Sequence, residues 1–334
     1  MKTVALGRTG VRVSALAFGT MSFGGPADED MSAALYRRCR DAGINHFDCA
    51  DVYNEGRAEE FLGRLVRDHR DQVVLTTKAY FPSGSGPNDR GSSRFHLVRA
   101  VETSLRRLGT DRIDIFYLHR WDDETNLSES LRALDDLTRQ GKIVYSGLSN
   151  FSAWQAAKAV TLSEERGWAR PVCIQPMYNL AKRQAEVELL PMAMSEVLGV
   201  FPYSPLGGGL LSGKYGEAVR PAAGRLIDNP MYVTRYGAPV NYEIAERLRG
   251  VADRLGVESA ALAIAWVASH PAVTAPLLGA RNLEQLNASL GAAEIELTGE
   301  QRREIGELSP SPPPATDRNE ESSAANYAAV LKRS

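Results

Sequence analysis

Four side chains in the first 120 residues could act together on one oxygen atom: Asp48, Tyr53, Lys78 and His119. Asp48 follows Ile44-Asn-His-Phe47, Lys78 follows Val73-Val-Leu-Thr-Thr77, and His119 follows Ile113-Asp-Ile-Phe-Tyr-Leu118. Each therefore ends a stretch that reads as a buried strand, and Tyr53 lies in the loop leaving the strand of Asp48. A charge at a buried strand end is costly unless paired, and Asp48 and Lys78, on neighbouring strands, can pair with each other. A phenol ordinarily titrates near ~10. A lysine ammonium nearby favours the phenolate and lowers that value, so Tyr53 could donate a proton to an oxygen that gains negative charge. His119 could add a second hydrogen bond. The set suits a carbonyl becoming an alkoxide. Taken singly, each has a plainer reading: Asp48 as a loop cap, Tyr53 as an amphipathic surface residue, Lys78 as a strand-end lysine reaching solvent, His119 as a satisfied buried histidine. Four at the exits of three consecutive strands read as a reaction centre. His46, His69, His96 and His270 show no partner pattern and are read as structural or surface residues. No Ser–His–Asp arrangement and no HExxH motif occurs.

A second chemical region is Tyr203-Ser-Pro-Leu-Gly-Gly-Gly-Leu-Leu-Ser-Gly-Lys214. Its glycines expose backbone N–H groups that can cradle phosphate, and Lys214 adds charge. Further on, Gly279-Ala-Arg-Asn282 brings Arg281 to a helix start with Asn282 as its cap. Together these suit a ligand with several phosphates, and Arg281 suits an additional terminal phosphate. The stretch Gly208–Lys214 nearly matches a Walker A loop, but Tyr215 stands where Ser or Thr should hold magnesium. The plainest alternative is a glycine-rich connection that only turns.

The elements that must position these groups alternate. A hairpin (Val4–Leu6, Val11–Val13, around Gly-Arg-Thr-Gly) precedes strands at Ala15–Gly19, Ile44–Asp48, Val73–Lys78, Ile113–His119, Ile143–Leu148, Val172–Gln175, Val200–Tyr203 and Val273–Leu278. Helical stretches separate them, near Glu29–Ala42, Ala58–Asp68, Arg94–Leu108, Ser128–Gln140, Ala153–Gly167, Glu186–Ser195, Asn241–Leu255, Glu258–Ser269 and Leu283–Leu290. Unalternating β-branched strands imply a parallel sheet buried on both faces. Eight such units in one domain most simply close into an α/β fold of the (β/α)8 TIM-barrel type, with an N-terminal β-hairpin and an extra C-terminal helix. The rival, an open doubly wound sheet, usually carries a G-x-G-x-x-G turn after its first strand. Here that turn reads Gly19-Thr-Met-Ser-Phe-Gly24. Barrel chemistry occurs at the strand exits, where all four candidate groups fall, and phosphate sites follow strands seven and eight. The loop Tyr80–Ser93 and the Pro- and Ser-rich extension 309–334 are expected to be mobile, with one short helix at Asn326–Lys332. Residues 1–308 form the single expected domain.

Composition bounds the partners. The 334 residues are 43% hydrophobic and 24% charged, enough for a large core, so global disorder is excluded. A net charge of −2 gives no reason to expect nucleic acid or a membrane as partner. Cys39, Cys49 and Cys173 are odd in number and far apart, which gives neither a disulfide framework nor zinc-ligand spacing. The expected setting is cytoplasmic and no metal is expected. The sequence is silent on oligomeric state.

These motifs, in this order and spacing, resemble the aldo-keto reductase superfamily from about Val4 to Leu308. The carrying stretches are Leu6-Gly-Arg-Thr-Gly10, Phe18–Gly24, Gly43–Tyr53, Thr77-Lys78, Leu118-His119-Arg120, Gly147–Asn150, Gln175–Asn179, Tyr203–Lys214 and Gly279–Arg281. The resemblance implies a barrel that binds NADPH extended and reduces an aldehyde or ketone. It implies Tyr53 as general acid, Lys78 and Asp48 as its tuners, and His119 as the residue that orients the carbonyl. It implies cofactor contacts from Thr20, Met21 and Asp48, from Ser149, Asn150 and Gln175 to the nicotinamide amide, and from Tyr203 to its ring. Ser204, Pro205, Leu206, Gly208, Lys214 and Arg225 are expected at the pyrophosphate, and Gly279, Arg281, Gln285 and Ser289 at the adenosine end, with Arg281 on the 2′-phosphate. Three positions depart from the family pattern: Cys49 for a commoner Thr, Ala58 for a commoner Ser, and Ala288-Ser289 for a Glu-Asn pair that grips adenine. The alternative from another class is a catalytically weak NADPH-binding sensor or regulatory subunit of the same fold. The substrate is not readable; Phe23, Tyr80, Trp121 and Tyr232 are candidates for an apolar pocket.

Overall fold

The computed structural model describes residues 1–316. The expected helix at Asn326–Lys332, and the rest of the expected extension from residue 317 on, lie outside them. The N-terminal hairpin is β1 (Thr3–Ala5) and β2 (Arg12–Ser14), with Val4 opposite Val13. Eight strands follow: β3 (Ala17–Gly19), β4 (His46–Asp48), β5 (Val74–Ala79), β6 (Ile113–Leu118), β7 (Ile143–Ser149), β8 (Cys173–Gln175), β9 (Gly199–Val200) and β10 (Leu277–Leu278). They form one parallel sheet in the order β10-β3-β4-β5-β6-β7-β8-β9. The two end strands meet: Thr274 N and Ala275 N donate to Val200 O (2.9 and 3.2 Å), and Leu277 N donates to Pro202 O (2.9 Å). The sheet thus closes on itself, as a (β/α)8 barrel requires.

The outer helices are α1 (Glu29–Asp41), α2 (Arg57–Val66), α3 (Arg94–Leu108), α4 (Leu127–Arg139), α5 (Ala153–Arg166), α6 (Leu189–Ser195), α7 (Arg225–Asp228), α8 (Pro230–Tyr236), α9 (Pro239–Leu255), α10 (Ser259–Ala268), α11 (Leu283–Leu290) and α12 (Gly299–Gly306). Alternation along each strand divides the apolar side chains between two layers. Phe47, Leu75, Phe116, Leu118, Leu148 and Val200 face the helices. Ile115, Tyr117, Cys173, Phe201 and Leu277 fill the barrel, and the hairpin contributes Leu6 and Val13 to that inner cluster. Gly7, at φ +50, makes the seal possible, since a Cβ there would lie 2.7 Å from Val197 O. Past residue 308 the chain is still held, because Arg183 Nη1 donates to Gly306 O (2.7 Å) and Ser309 O (3.3 Å).

Three differences from the sequence expectation have local causes. β9 and β10 are two residues each, where longer strands were expected. Pro202 and Pro276 cannot donate to a ladder, although their carbonyls still accept from Leu277 N and Ala17 N. The stretch read as a loop before α9 contains α7 and α8; Asn229 caps α8 and Pro230 occupies its first turn. The loop Tyr80–Ser93 is held by Gly91 N to Tyr80 O (2.7 Å), Ser83 N to Asp89 O (3.0 Å) and Ser92 N to Asp122 Oδ2 (2.7 Å).

Candidate active site

Parallel register sets the first part of the site. Asp48 lies opposite Thr76, so on the inner face Lys78 follows one position nearer the strand exit. Lys78 Nζ donates to Asp48 Oδ2 and to Cys49 O, both at 2.5 Å, with both side chains essentially buried. Asp48 Oδ1 accepts from Thr76 Oγ1 (2.8 Å) and Gln175 Nε2 (2.9 Å). Both charges are thus paired and bonded, the condition under which a buried ion pair is tolerated. Thr20 lies buried behind this pair, its N and Oγ1 donating to Asp48 O (2.8 and 3.0 Å).

Tyr53 is carried by an unusual turn. Asn54, Glu55 and Gly56 have φ of 50°, 60° and 89°, so three successive residues are left-handed. Asn is among the residues that tolerate this conformation. Here its side chain also anchors the turn, donating from Nδ2 to Met21 O (2.9 Å) and Phe23 O (2.6 Å). Lys78 Nζ is 5.1 Å from the centroid of the Tyr53 ring, and the His119 ring packs edge-on to Tyr53 at 6.2 Å. Burial pushes the Tyr53 phenol up to about 12, against the pull of the Lys78 charge and a hydrogen bond from it. This reverses the expected net direction: the ammonium lowers the value as anticipated, but desolvation is larger. His119 is held well below the ordinary histidine range by burial and by Lys78. Its ring is neutral near pH 7 and carries one N–H. Asn150, itself at φ 56°, links the neighbouring strands: its Nδ2 donates to His119 O (2.9 Å) and Ser149 Oγ (3.2 Å), and its Oδ1 accepts from Tyr203 OH (2.7 Å). Ser149 Oγ donates to Gln175 O (3.1 Å).

A single cavity of about 830 Å³ runs from this centre across the barrel mouth. Asp48, Tyr53 and His119 line one end; Met21, Ser149, Asn150, Gln175, Tyr203, Ser204, Pro205, Leu206, Gly208, Lys214, Arg225, Gly279, Arg281, Gln285 and Ser289 continue it. Of the residues expected in the site, only Thr20 and Lys78 do not line it. Both lie behind it: Thr20 and Lys78 are bonded to Asp48, and Lys78 Nζ also lies over the Tyr53 ring. The glycine turn is tight: Gly208, at φ +70, would bring a Cβ within 2.5 Å of the Tyr232 ring. Lys214, Arg225 and Arg281 converge. Burial, Arg281 and Arg225 all push Lys214 below the ordinary lysine value, and among the described residues none of the three pairs with a carboxylate. Crowded cations with no anion of their own are a donor set for a multiply charged anion. Asn282 Oδ1 caps α11 through Gln285 N (3.0 Å), while Gln285 Oε1 accepts from Arg281 N (3.1 Å). Ser289 Oγ donates within its own helix to Gln285 O (2.9 Å), leaving its lone pairs for any ligand.

The cavity also has residues that sequence reasoning left out, among them Phe81, Arg120, Ser212, Arg235, Glu258 and Glu284. Arg120 directly follows His119, so its place at a strand exit was readable; Arg235 lies on α8, the helix read as a loop. Of the aromatic candidates, Tyr232 lines the cavity, Tyr80 and Trp121 do not, and Phe23 is fully buried against Phe18. Among the described residues no cluster of metal-ligating side chains occurs, and no helix is long and apolar enough to cross a membrane. The three cysteines are buried and unpaired.

The fold is a closed parallel barrel with Asp48, Tyr53, Lys78 and His119 gathered at its strand exits, and similarity to known proteins makes it an oxidoreductase of barrel fold. The family model described as Aldo/keto reductase family matches residues 15–310, and the chain belongs to that family. It is 38% identical over 302 residues to a probable voltage-gated potassium channel subunit beta of Oryza sativa subsp. japonica, covering 87% of this chain and 90% of that one. It is 38% identical over 324 residues to the uncharacterized oxidoreductase YrpG of Bacillus subtilis (strain 168), covering 93% and 97%. A second probable potassium channel subunit beta, from Arabidopsis thaliana, is 36% identical over 299 residues, covering 87% and 90%.

Proposed function

We propose that the protein reduces an aldehyde or ketone to an alcohol with NADPH. The observation that carries this is the joining, in one cavity, of the Tyr53–His119 end with the Lys214–Arg225–Arg281 end. The residues fit the cofactor: three unpaired cations and a glycine turn for its phosphates, and the Ser149–Asn150–Gln175 group with Tyr203 for its nicotinamide. Bound there, NADPH would supply a hydride to the carbonyl carbon. Tyr53, protonated at neutral pH because of its burial, gives its proton to the carbonyl oxygen as that oxygen becomes an alkoxide, a far stronger base than a phenolate. Lys78 stabilises the phenolate left behind, and Asp48 holds Lys78 on its strand. His119, neutral, donates its N–H to the same oxygen and so fixes the carbonyl's face. Solvent returns the proton to Tyr53. Arg281 is assigned to the 2′-phosphate, and Ser289 to a single adenine hydrogen bond. Aldehyde-dependent loss of NADPH absorbance across a panel of aromatic and aliphatic aldehydes tests the reading; no turnover of any member would reject it.

The channel-subunit names of two relatives favour a second reading, a regulatory subunit that binds NADPH and turns over slowly. The same assay separates the two, because that reading expects tight NADPH binding with negligible consumption.

A further inference from the structure

Behind the Tyr53 loop lies a polar cluster that the reaction above does not use. Glu59, on α2, is wholly buried. Its Oε1 accepts from Thr77 Oγ1 (2.6 Å), the residue next to Lys78 on β5, and its Oε2 accepts from Arg107 Nη1 (3.2 Å) of α3. The same Nη1 donates to Asp51 O (3.0 Å), two residues before Tyr53. Asp51 N in turn donates to Lys78 O (3.1 Å). Gly56 gives the guanidinium its room, since a Cβ there would lie 2.3 Å from Arg107 Cζ. Asp51 is 3% exposed as a residue, both its carboxyl oxygens are buried, and neither has a hydrogen-bond partner. It lines a separate cavity of about 180 Å³, which Arg107 also borders.

One cation therefore serves two buried carboxyls. An uncompensated buried anion is strongly unfavourable, so the cluster holds together only while one carboxyl keeps its proton. We propose that the Thr77–Glu59–Arg107–Asp51 cluster is a positioning device for Tyr53: Arg107 clamps the Tyr53 loop to the strand of Lys78, and does so while Asp51 remains a neutral acid. The inference rests on Tyr53 being the proton donor. Burial first, and then Glu59, push Asp51 up to about 8, opposed by the Arg107 and Lys78 charges; burial pushes Glu59 up as well, but its hydrogen bonds from Thr77 and Arg107 oppose that rise, and the Asp51 carboxyl has no such side-chain bonds. The other charged or titratable groups around that cavity are Asp89, His96 and Arg99. Above that pH an ionised Asp51 competes with Glu59 for Arg107, and the loop loses its anchor. The sign follows from linkage: a carboxyl with a raised value stabilises the fold below its unfolded value and loses that contribution as pH rises towards about 8.

Two variants test it on the full chain. Arg107→Gly opens a guanidinium-sized space onto the smaller cavity. It should lower kcat roughly 10- to 100-fold, as a displaced catalytic group does, with KM and NADPH affinity unchanged and with kcat recovering in millimolar guanidinium. Asp51→Asn is the isosteric control. In wild type the Tyr53 ring carbon next to the hydroxyl, followed by NMR of labelled tyrosine, should shift as pH passes about 8; in Asp51→Asn that step should vanish. A folded Arg107→Gly protein with wild-type kcat, or with losses only in KM, overturns the proposal. So do identical pH steps in wild type and Asp51→Asn. The NMR comparison needs no turnover, so an inactive wild type would defeat the reductase reading and still leave this one decided.

Discussion

At Tyr53, burial raises the phenol's pKa and the neighbouring ammonium lowers it. The residue types and their order identified the partners from sequence alone. They could not reveal how little water reaches the hydroxyl, which decides the net direction. A phenol raised in this way suits the proposed reduction, in which Tyr53 would enter each cycle protonated and Lys78 would matter most after the proton has left. The same limit applies at Ser289, whose hydroxyl is committed to Gln285 O, a bond invisible in the sequence. The place of Arg281 beside a helix cap, by contrast, is visible in the sequence, and the structure sets its charge close to Lys214 without a carboxylate of its own. If it holds the 2′-phosphate, Arg281→Ala loses a charge-assisted bond of about 1.5–3 kcal/mol, a rise of about 10- to 100-fold in the NADPH KM. The NADH KM should hardly move. Steady-state kinetics with both cofactors checks this, and equal effects would remove the 2′-phosphate assignment.

Among the elements, β5 to β7 were readable from their runs of β-branched and aromatic residues, and β4, which has no β-branched residue, from its place between two helical stretches. β9 and β10 were over-extended because hydrophobicity continues through Pro202 and Pro276 while the ladder does not. The helices α7 and α8 were missed although Asn229-Pro230 is a start signal; the glycine-rich stretch before them favoured a loop reading. These helices border the end of the cavity proposed for phosphate, since Arg225 opens α7 and Tyr232, on α8, packs over Gly208. Gly208→Ala places a Cβ in that ring and asks a non-glycine residue for φ +70. The expected result is a severalfold or larger rise in NADPH Kd by fluorescence titration, with circular dichroism unchanged. Unaltered affinity would show that the turn does not shape the phosphate site.

For the whole molecule, the hairpin closes the barrel at one end and the candidate site occupies the other. That separation predicts that damage at the closed end costs stability before it costs function. Gly7→Ala combines φ +50 with a 2.7 Å approach to Val197 O, so it should destabilise by on the order of 1–3 kcal/mol, seen as a lower Tm. At temperatures where the variant remains folded, NADPH affinity should be unchanged. Barrel closure and the strand-exit location of the site were legible from eight alternating units. The hairpin's part in the inner core was not, because it depends on contacts between distant residues. The central claim is that one cavity couples a cofactor cradle to a tyrosine proton donor. It is tested most directly by Tyr53→Phe, with NADPH affinity and aldehyde turnover measured on the same preparation. Wild-type NADPH binding with turnover abolished is the expected result; turnover that persists at the wild-type rate would contradict the coupling.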